Sequence, residues 1–162
     1  YGKSKWGEWT WAGSCMEVDR GMHKACQKYG IGIVSVSNSN HFGTAAYYTN
    51  YIADQGCIGF AASSSGPTMA PLGGTVLLLG TNPFSIAFPG KEETFCADMA
   101  TSAAVKGKIR IYAKQNKQLP IGWALDAEGN DTTDPSAAIK GILLPMGGPQ
   151  GVCVGYGRRC DL

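Results

Sequence analysis

Ile31-Gly32-Ile33-Val34-Ser35-Val36 runs straight into Ser37-Asn38-Ser39-Asn40-His41-Phe42-Gly43. A short apolar, β-branched run predicts a buried strand, and the polar, glycine-closed stretch behind it predicts the loop at the strand's mouth. His41 sits in that loop. Histidine is the side chain whose unperturbed pKa lies nearest neutrality, so a loop histidine at a strand end is suited to passing a proton to or from a substrate. The alternative is a hydrogen-bonded surface or capping residue, the usual state of a lone histidine, although functional residues favour loops.

Upstream, Met22, Ala25, Cys26 and Tyr29 recur at helical spacing within Met16 to Tyr29, and Gly30 stands where a C-terminal cap belongs. Downstream, Tyr48, Tyr51, Ile52 and Gln55 give a helix from Thr44 to Gln55 that stops at Gly56. Cys57 to Ala62, Thr75 to Leu79, Phe84 to Phe88 and Phe95 to Met99 read as buried strands between Gly, Pro, Asn and Ser turns. Ser102 to Gln115 reads as a helix, with Thr101 or Ser102 supplying the N-cap oxygen. Asn116 to Pro135 reads as a loop, long enough to be functional or packed on a neighbour. Helix and strand alternating into a strand-rich centre predict an α/β or α+β domain with a mixed β-sheet and flanking helices.

The 162 residues fit one domain, and 44% hydrophobic content is enough for a core. A formal charge of +2, with no basic cluster longer than Arg158-Arg159, leaves no electrostatic footprint for nucleic acid or an anionic membrane, so the expected partners are small polar molecules. No apolar run is long enough for a membrane span and no signal peptide is visible, while a first residue other than methionine suggests a missing upstream portion. Cys15, Cys26, Cys57, Cys96, Cys153 and Cys160 form no Cys-x-x-Cys pair and no zinc-spaced cluster. Several sit in apolar helical or strand-like runs, so reduced thiols in a cytoplasmic protein are expected, and no metal.

Gly30-Ile31-Gly32 lacks a third glycine and precedes its strand, so a Rossmann fingerprint fails its context test. His23, beside Lys24 on a helix, reads as a solvated surface residue. Ser63-Ser64-Ser65-Gly66 alone reads as a polar turn. Asp98 and Ser102 alone could simply cap the following helix.

Taken together and in order, Pro67-Thr68-Met69-Ala70-Pro71-Leu72-Gly73-Gly74, Gly80-Thr81-Asn82-Pro83, Asp98-Met99-Ala100-Thr101-Ser102, Thr132-Thr133-Asp134-Pro135 and Leu144-Pro145-Met146-Gly147-Gly148 resemble the malate/L-lactate dehydrogenase family. This is the non-Rossmann group of NAD(P)-dependent 2-hydroxyacid and ureidoglycolate dehydrogenases. The resemblance implies that residues 12–150 are the central cofactor and catalytic part, with 1–11 and 151–162 as atypical ends. It implies NAD or NADP as cofactor, a hydroxyacid or oxoacid of malate or lactate type as substrate, and a homodimer. His41 matches the family's Asn-His loop and becomes the base in oxidation and the acid in reduction.

Ser65 matches a cofactor-contacting position, as do Asp98, Met99, Ala100 and Thr101. A strand ending at Asp98-Met99 and feeding a helix through Thr101-Ser102 would also expose backbone N–H groups to an anionic cofactor. Gln150 stands where relatives carry a cofactor-contacting lysine; an amide still donates hydrogen bonds but has no fixed charge. Relatives carry an upstream Ser-His-Gly segment with an arginine, and a long apolar helix after this point. Neither is recognisable here, and residues 152–162 are glycine-broken and basic. The sequence therefore leaves open a catalytically inactive truncated or splice form, and a plain α/β binding module.

Overall fold

The computed structural model describes residues 22–37, 41–71 and 73–147. These fall into two compact units, one comprising the described residues up to Ala61 with Ser85–Asp98, the other Ala62–Phe84 with the residues from Met99 onward.

In the first unit, residues 22–29 form α1. Gly30 ends it at φ +79°, and its N–H donates to the Cys26 carbonyl at 2.8 Å. This is the left-handed stop that glycine adopts without a Cβ penalty. Helix α2, Ala45–Asp54, starts after an extended Thr44 and buries Ala45, Thr49, Ile52 and Ala53. Those residues are spaced by four, three and one, the expected helical stripe, but it is made of smaller side chains than the tyrosines of the same helix. Strands β1 (Gly59–Ala62), β2 (Phe84–Phe88) and β3 (Phe95–Met99) form one sheet in the order β1-β2-β3. A Cβ on Gly59 would come 2.5 Å from the Thr49 carbonyl oxygen, so glycine is what lets β1 lie this close to α2. Thr49 and Ser85, both fully buried, satisfy each other through a 2.7 Å hydroxyl pair, with the Cys96 sulfur 3.5 Å from Ser85 Oγ.

The second unit holds the larger apolar core. Met69, Ile109, Leu119, Ala124, Ala138 and Leu143 are its buried centre, with Leu79, Tyr112, Trp123 and Ile139 packed around them. Helix α3, Lys106–Lys114, contributes Ile109 and packs on α4, Pro135–Lys140. Asp134 caps α4, its carboxylate accepting from the Ser136 amide at 2.9 Å, and proline occupies the first turn, where no N–H is needed. Strands β4 (Ala124–Leu125) and β5 (Ile142–Leu143) pair antiparallel, Ala124 opposite Leu143. Met69 bridges Leu79 antiparallel and Leu143 parallel. Mixed pairing and helices without a doubly wound parallel sheet are the expected fold class.

Four expectations are corrected. Residues 31–36 form no strand; Ile31, Ile33, Val34 and Val36 are exposed, and no described segment pairs with them. A β-branched run becomes a strand only with a ladder partner, which local pattern cannot supply. Thr75 to Leu79 is likewise no strand, with Val76 and Leu78 about two-thirds exposed and only its end engaged, where the Leu78 and Leu79 amides donate to the Met69 carbonyl and Leu79 bridges Met69. Helix α3 begins at Lys106 instead of Ser102, because residues 101–103 pair with 144–146: Ala103 N donates to Leu144 O and Met146 N to Thr101 O, both at 2.8 Å. The predicted loop Asn116 to Pro135 also contains β4 and leads into α4. The expected helix before residue 22 and the two atypical ends lie outside the described residues.

Candidate active site

His41 stands in a turn that enters α2. Gly43, at φ +89°, turns its amide back to His41 Nδ1 at 3.0 Å. A nitrogen that accepts carries no proton, so this bond assigns the neutral ring's hydrogen to Nε2. Phe42 stacks on Tyr48 with centroids 5.7 Å apart, and the Tyr48 hydroxyl donates to the Phe42 carbonyl at 2.6 Å. One residue past Gly43, the Thr44 hydroxyl donates to Asp98 Oδ2 at 2.5 Å, and the Ala46 amide donates to the same oxygen at 3.2 Å. Asp98 therefore caps the helix behind His41, neither capping α3 nor pointing at a helix that begins at Thr101. A carboxylate on the first amides of α2 is also favoured by the helix dipole.

Ser65 and Thr101 meet around Thr81 in the second unit. Ser65 Oγ lies 3.2 Å from Thr81 Oγ1, while the Thr101 amide and hydroxyl donate to the Thr81 carbonyl at 2.8 and 3.0 Å. Asn82, held at φ +33°, accepts the Ser65 amide on its side-chain oxygen at 3.1 Å. A Cβ on Gly80 would strike the Ser65 carbonyl, so the Gly80-Thr81-Asn82 turn requires glycine there.

Beside this cluster opens a cavity of about 330 Å³ lined by Ser65, Gly66, Thr68, Thr81, Val105 and Lys106, among others. Thr68 Oγ1 is buried without a hydrogen-bond partner. Lys106, half-buried, is the cation in the lining. The amides of Thr101 and Ala103 are spent on Thr81 and Leu144, so the expected N–H cradle at 101–102 is not formed. The helix start beside the cavity is instead that of α3, whose N-cap Val105 offers no side-chain acceptor.

Met99 and Ala100 follow in the second unit, one partly exposed and the other half-buried, and Gln150 lies outside the described residues. Thr68, Thr81 and Lys106 are the lining residues that residue-by-residue reading missed. Thr68 and Thr81 were visible only as parts of the ordered motifs, and no sequence signal singled out Lys106.

The profile of malate/L-lactate dehydrogenases matches residues 9–157. The chain belongs to the malate/L-lactate dehydrogenase family. Within that family it is 43% identical over 128 residues to L-sulfolactate dehydrogenase of Methanocaldococcus jannaschii, covering 79% of this chain and 37% of that protein. It is 45% identical over 126 residues to malate dehydrogenase of Pyrococcus horikoshii, covering 77% of this chain and 35% of the relative. Among solved structures, a dehydrogenase from Sinorhizobium meliloti superposes with a TM-score of 0.79 at 38% identity, over 83% of this chain and 40% of that one. The chain thus spans well under half the length of these malate/L-lactate dehydrogenase relatives.

Proposed function

We propose that this protein is an oxidoreductase that moves a hydride between NAD or NADP and a small 2-hydroxyacid or 2-oxoacid of malate or lactate type. The observation that carries this reading is the cavity in the second unit, considered in a chain of this family. Its lining, largely apolar, carries one ammonium group and the hydroxyls of Ser65 and Thr81. Those donors suit phosphate and ribose hydroxyls. At about 330 Å³ the cavity lies at the small end of ligand pockets and suits one part of a dinucleotide. Ser65, Thr81 and Lys106 would hold it, with Asp98, Met99, Ala100, Thr101 and Gln150 as further contacts carried by the family resemblance. When bound, the nicotinamide ring donates or accepts the hydride.

His41 handles the proton. In reduction the ring starts as imidazolium, gives its Nε2 proton to the 2-oxo oxygen and is left neutral with its hydrogen on Nδ1; the Gly43 contact of the resting ring is open in that state. In oxidation, Nε2 takes the hydroxyl proton only as the bare nitrogen. The ring then carries its hydrogen on Nδ1, and the Gly43 contact opens.

A second reading rests on Gln150: the chain binds the nucleotide without turning substrate over, because the position that carries a lysine in relatives holds no charge. A cytoplasmic homodimer goes with the first reading. The test is nicotinamide absorbance and NADH binding on the purified chain with oxaloacetate, pyruvate and sulfopyruvate. Oxidation of NADH by any of them supports the enzyme, binding without turnover supports the second reading, and no binding of NADH or NADPH overturns both.

A further inference from the structure

Two thiols outside the proposed site face each other. Cys26, in the last turn of α1, and Cys57, two residues before β1, place their sulfurs 3.6 Å apart, although they are 31 positions apart in sequence. Both are half-buried free thiols, so a small reagent can reach them. Cys96, the third free thiol of the described residues, has hydroxyl neighbours instead: Ser85 Oγ at 3.5 Å and Thr49 Oγ1 at 3.7 Å.

We propose that Cys26 and Cys57 are a reversible dithiol–disulfide site that reacts with low-molecular-weight disulfides. A bonded pair needs about 2.05 Å, so the sulfurs must approach by about 1.5 Å, which side-chain rotation and a small shift of the α1 end can provide. In the reaction, one protein thiolate attacks a sulfur of the small disulfide, breaking its S–S bond and releasing one small thiolate. The second protein thiol, on losing its proton, attacks the protein sulfur of the mixed disulfide and expels the other small thiolate. Two protein thiols are oxidised, one small disulfide is reduced to two thiols, and the protons go to the released thiolates.

At neutral pH the Cys57 thiol is held mostly protonated while the pair is reduced. Its hydrogen bond with Cys26, burial and the repulsion of a second thiolate all push its thiol above the usual value. One thiol makes the first attack and the other, 3.6 Å away, resolves the mixed disulfide. The bridge would tie α1 to the residues entering β1 and enclose His41 and all of α2 in one covalent loop.

The experiment is titration of the native full chain with oxidised against reduced glutathione, followed by acid quench, alkylation and peptide mapping. The expected result is a Cys26–Cys57 linked peptide that forms ahead of any other pair, is reversed by reduced glutathione, and leaves Cys96 reduced. Cys57→Ser should stop at a glutathione adduct on Cys26, and Cys26→Ser at an adduct on Cys57, neither forming a bridge. The proposal is overturned if wild-type Cys26 and Cys57 stay reduced in excess oxidised glutathione, end as separate adducts, or pair preferentially with other cysteines. The wild-type map decides the question even if a serine variant fails to fold.

Discussion

Asp98 accepts the Thr44 hydroxyl at 2.5 Å, so the end of β3 closes the N-terminus of the helix that His41 leads into. The same carboxylate oxygen takes the Ala46 amide. Removing an acceptor of this kind from a helix start costs about 0.5–2 kcal/mol. Asp98→Ala should therefore lower the denaturation midpoint and speed hydrogen exchange at Ala46, while Asp98→Asn, which keeps an acceptor and loses the charge, should do less. Unchanged exchange at Ala46 in Asp98→Ala would show that the cap is idle.

The Thr49–Ser85 hydroxyl pair gives a second expectation. Both side chains are fully buried, so Thr49→Val strips Ser85 of its short partner and leaves the weaker Cys96 sulfur. The expected loss is about 1–3 kcal/mol, the cost of an unsatisfied buried group. Thr49→Val with Ser85→Ala should recover part of it, because the orphaned hydroxyl is then gone. Additive losses in chemical denaturation would count against a coupled pair.

Local chemistry made some of the chain readable and left the rest to tertiary context. Gly30 and Gly56 marked helix ends because both take positive φ, and Phe84–Phe88 and Phe95–Met99 were read residue for residue. Ile31 to Val36 carries the same apolar pattern without a pairing partner, and composition does not distinguish a paired strand from an unpaired one. Asp98 was read as a choice between cofactor contact and cap of the next helix. It caps an earlier helix, from a position 54 residues away in sequence, which no local spacing reveals. The Ser65–Thr81–Thr101 cluster was foreshadowed only by motif order, whereas Lys106 entered the lining through a helix start that the Leu144–Met146 pairing shifted toward the C-terminus.

Asp126 predicts an acid-sensitive turn. The Asn130 amide at 2.8 Å, its largest influence, pulls the carboxyl below its ordinary value of 3.8, helped by the Asn130 side chain and the Glu128 amide. A carboxyl lowered on folding contributes stability above its unfolded pKa and loses it as pH falls through the folded one. Asp126→Asn should thus be less stable than wild type at neutral pH, and the gap should narrow on acidification below the ordinary carboxylate range. A gap that stays constant with pH would mean that the carboxylate charge plays no part in the turn.

Lys106 separates binding from stability. A cation in the first turn of α3 opposes the helix dipole, so Lys106→Ala should leave stability unchanged or raise it by about 0.3–1 kcal/mol. If the ammonium group faces a cofactor phosphate, the same change should weaken NADH binding by about tenfold, or about 1.4 kcal/mol. Calorimetry showing equal affinity in the stable variant would remove Lys106 from the proposed site and leave the Ser65 and Thr81 hydroxyls to carry it.

His41 and Gly43 test the chemistry from opposite sides. In the NADH-dependent assay, His41→Ala should cost about 10²–10⁴-fold in kcat, the usual contribution of general acid–base catalysis, with NADH affinity little changed because the ring is assigned to the substrate's proton. Gly43→Ala keeps the imidazole but forces a Cβ onto φ +89°, which displaces the amide that fixes the tautomer through Nδ1. Both directions pass through the same proton transfer, so kcat/KM for oxidation and for reduction should fall by the same factor, and by less than in His41→Ala. Near-normal turnover in His41→Ala would move the proton to another group, and unchanged turnover in Gly43→Ala would show that the Gly43 turn does not position the ring.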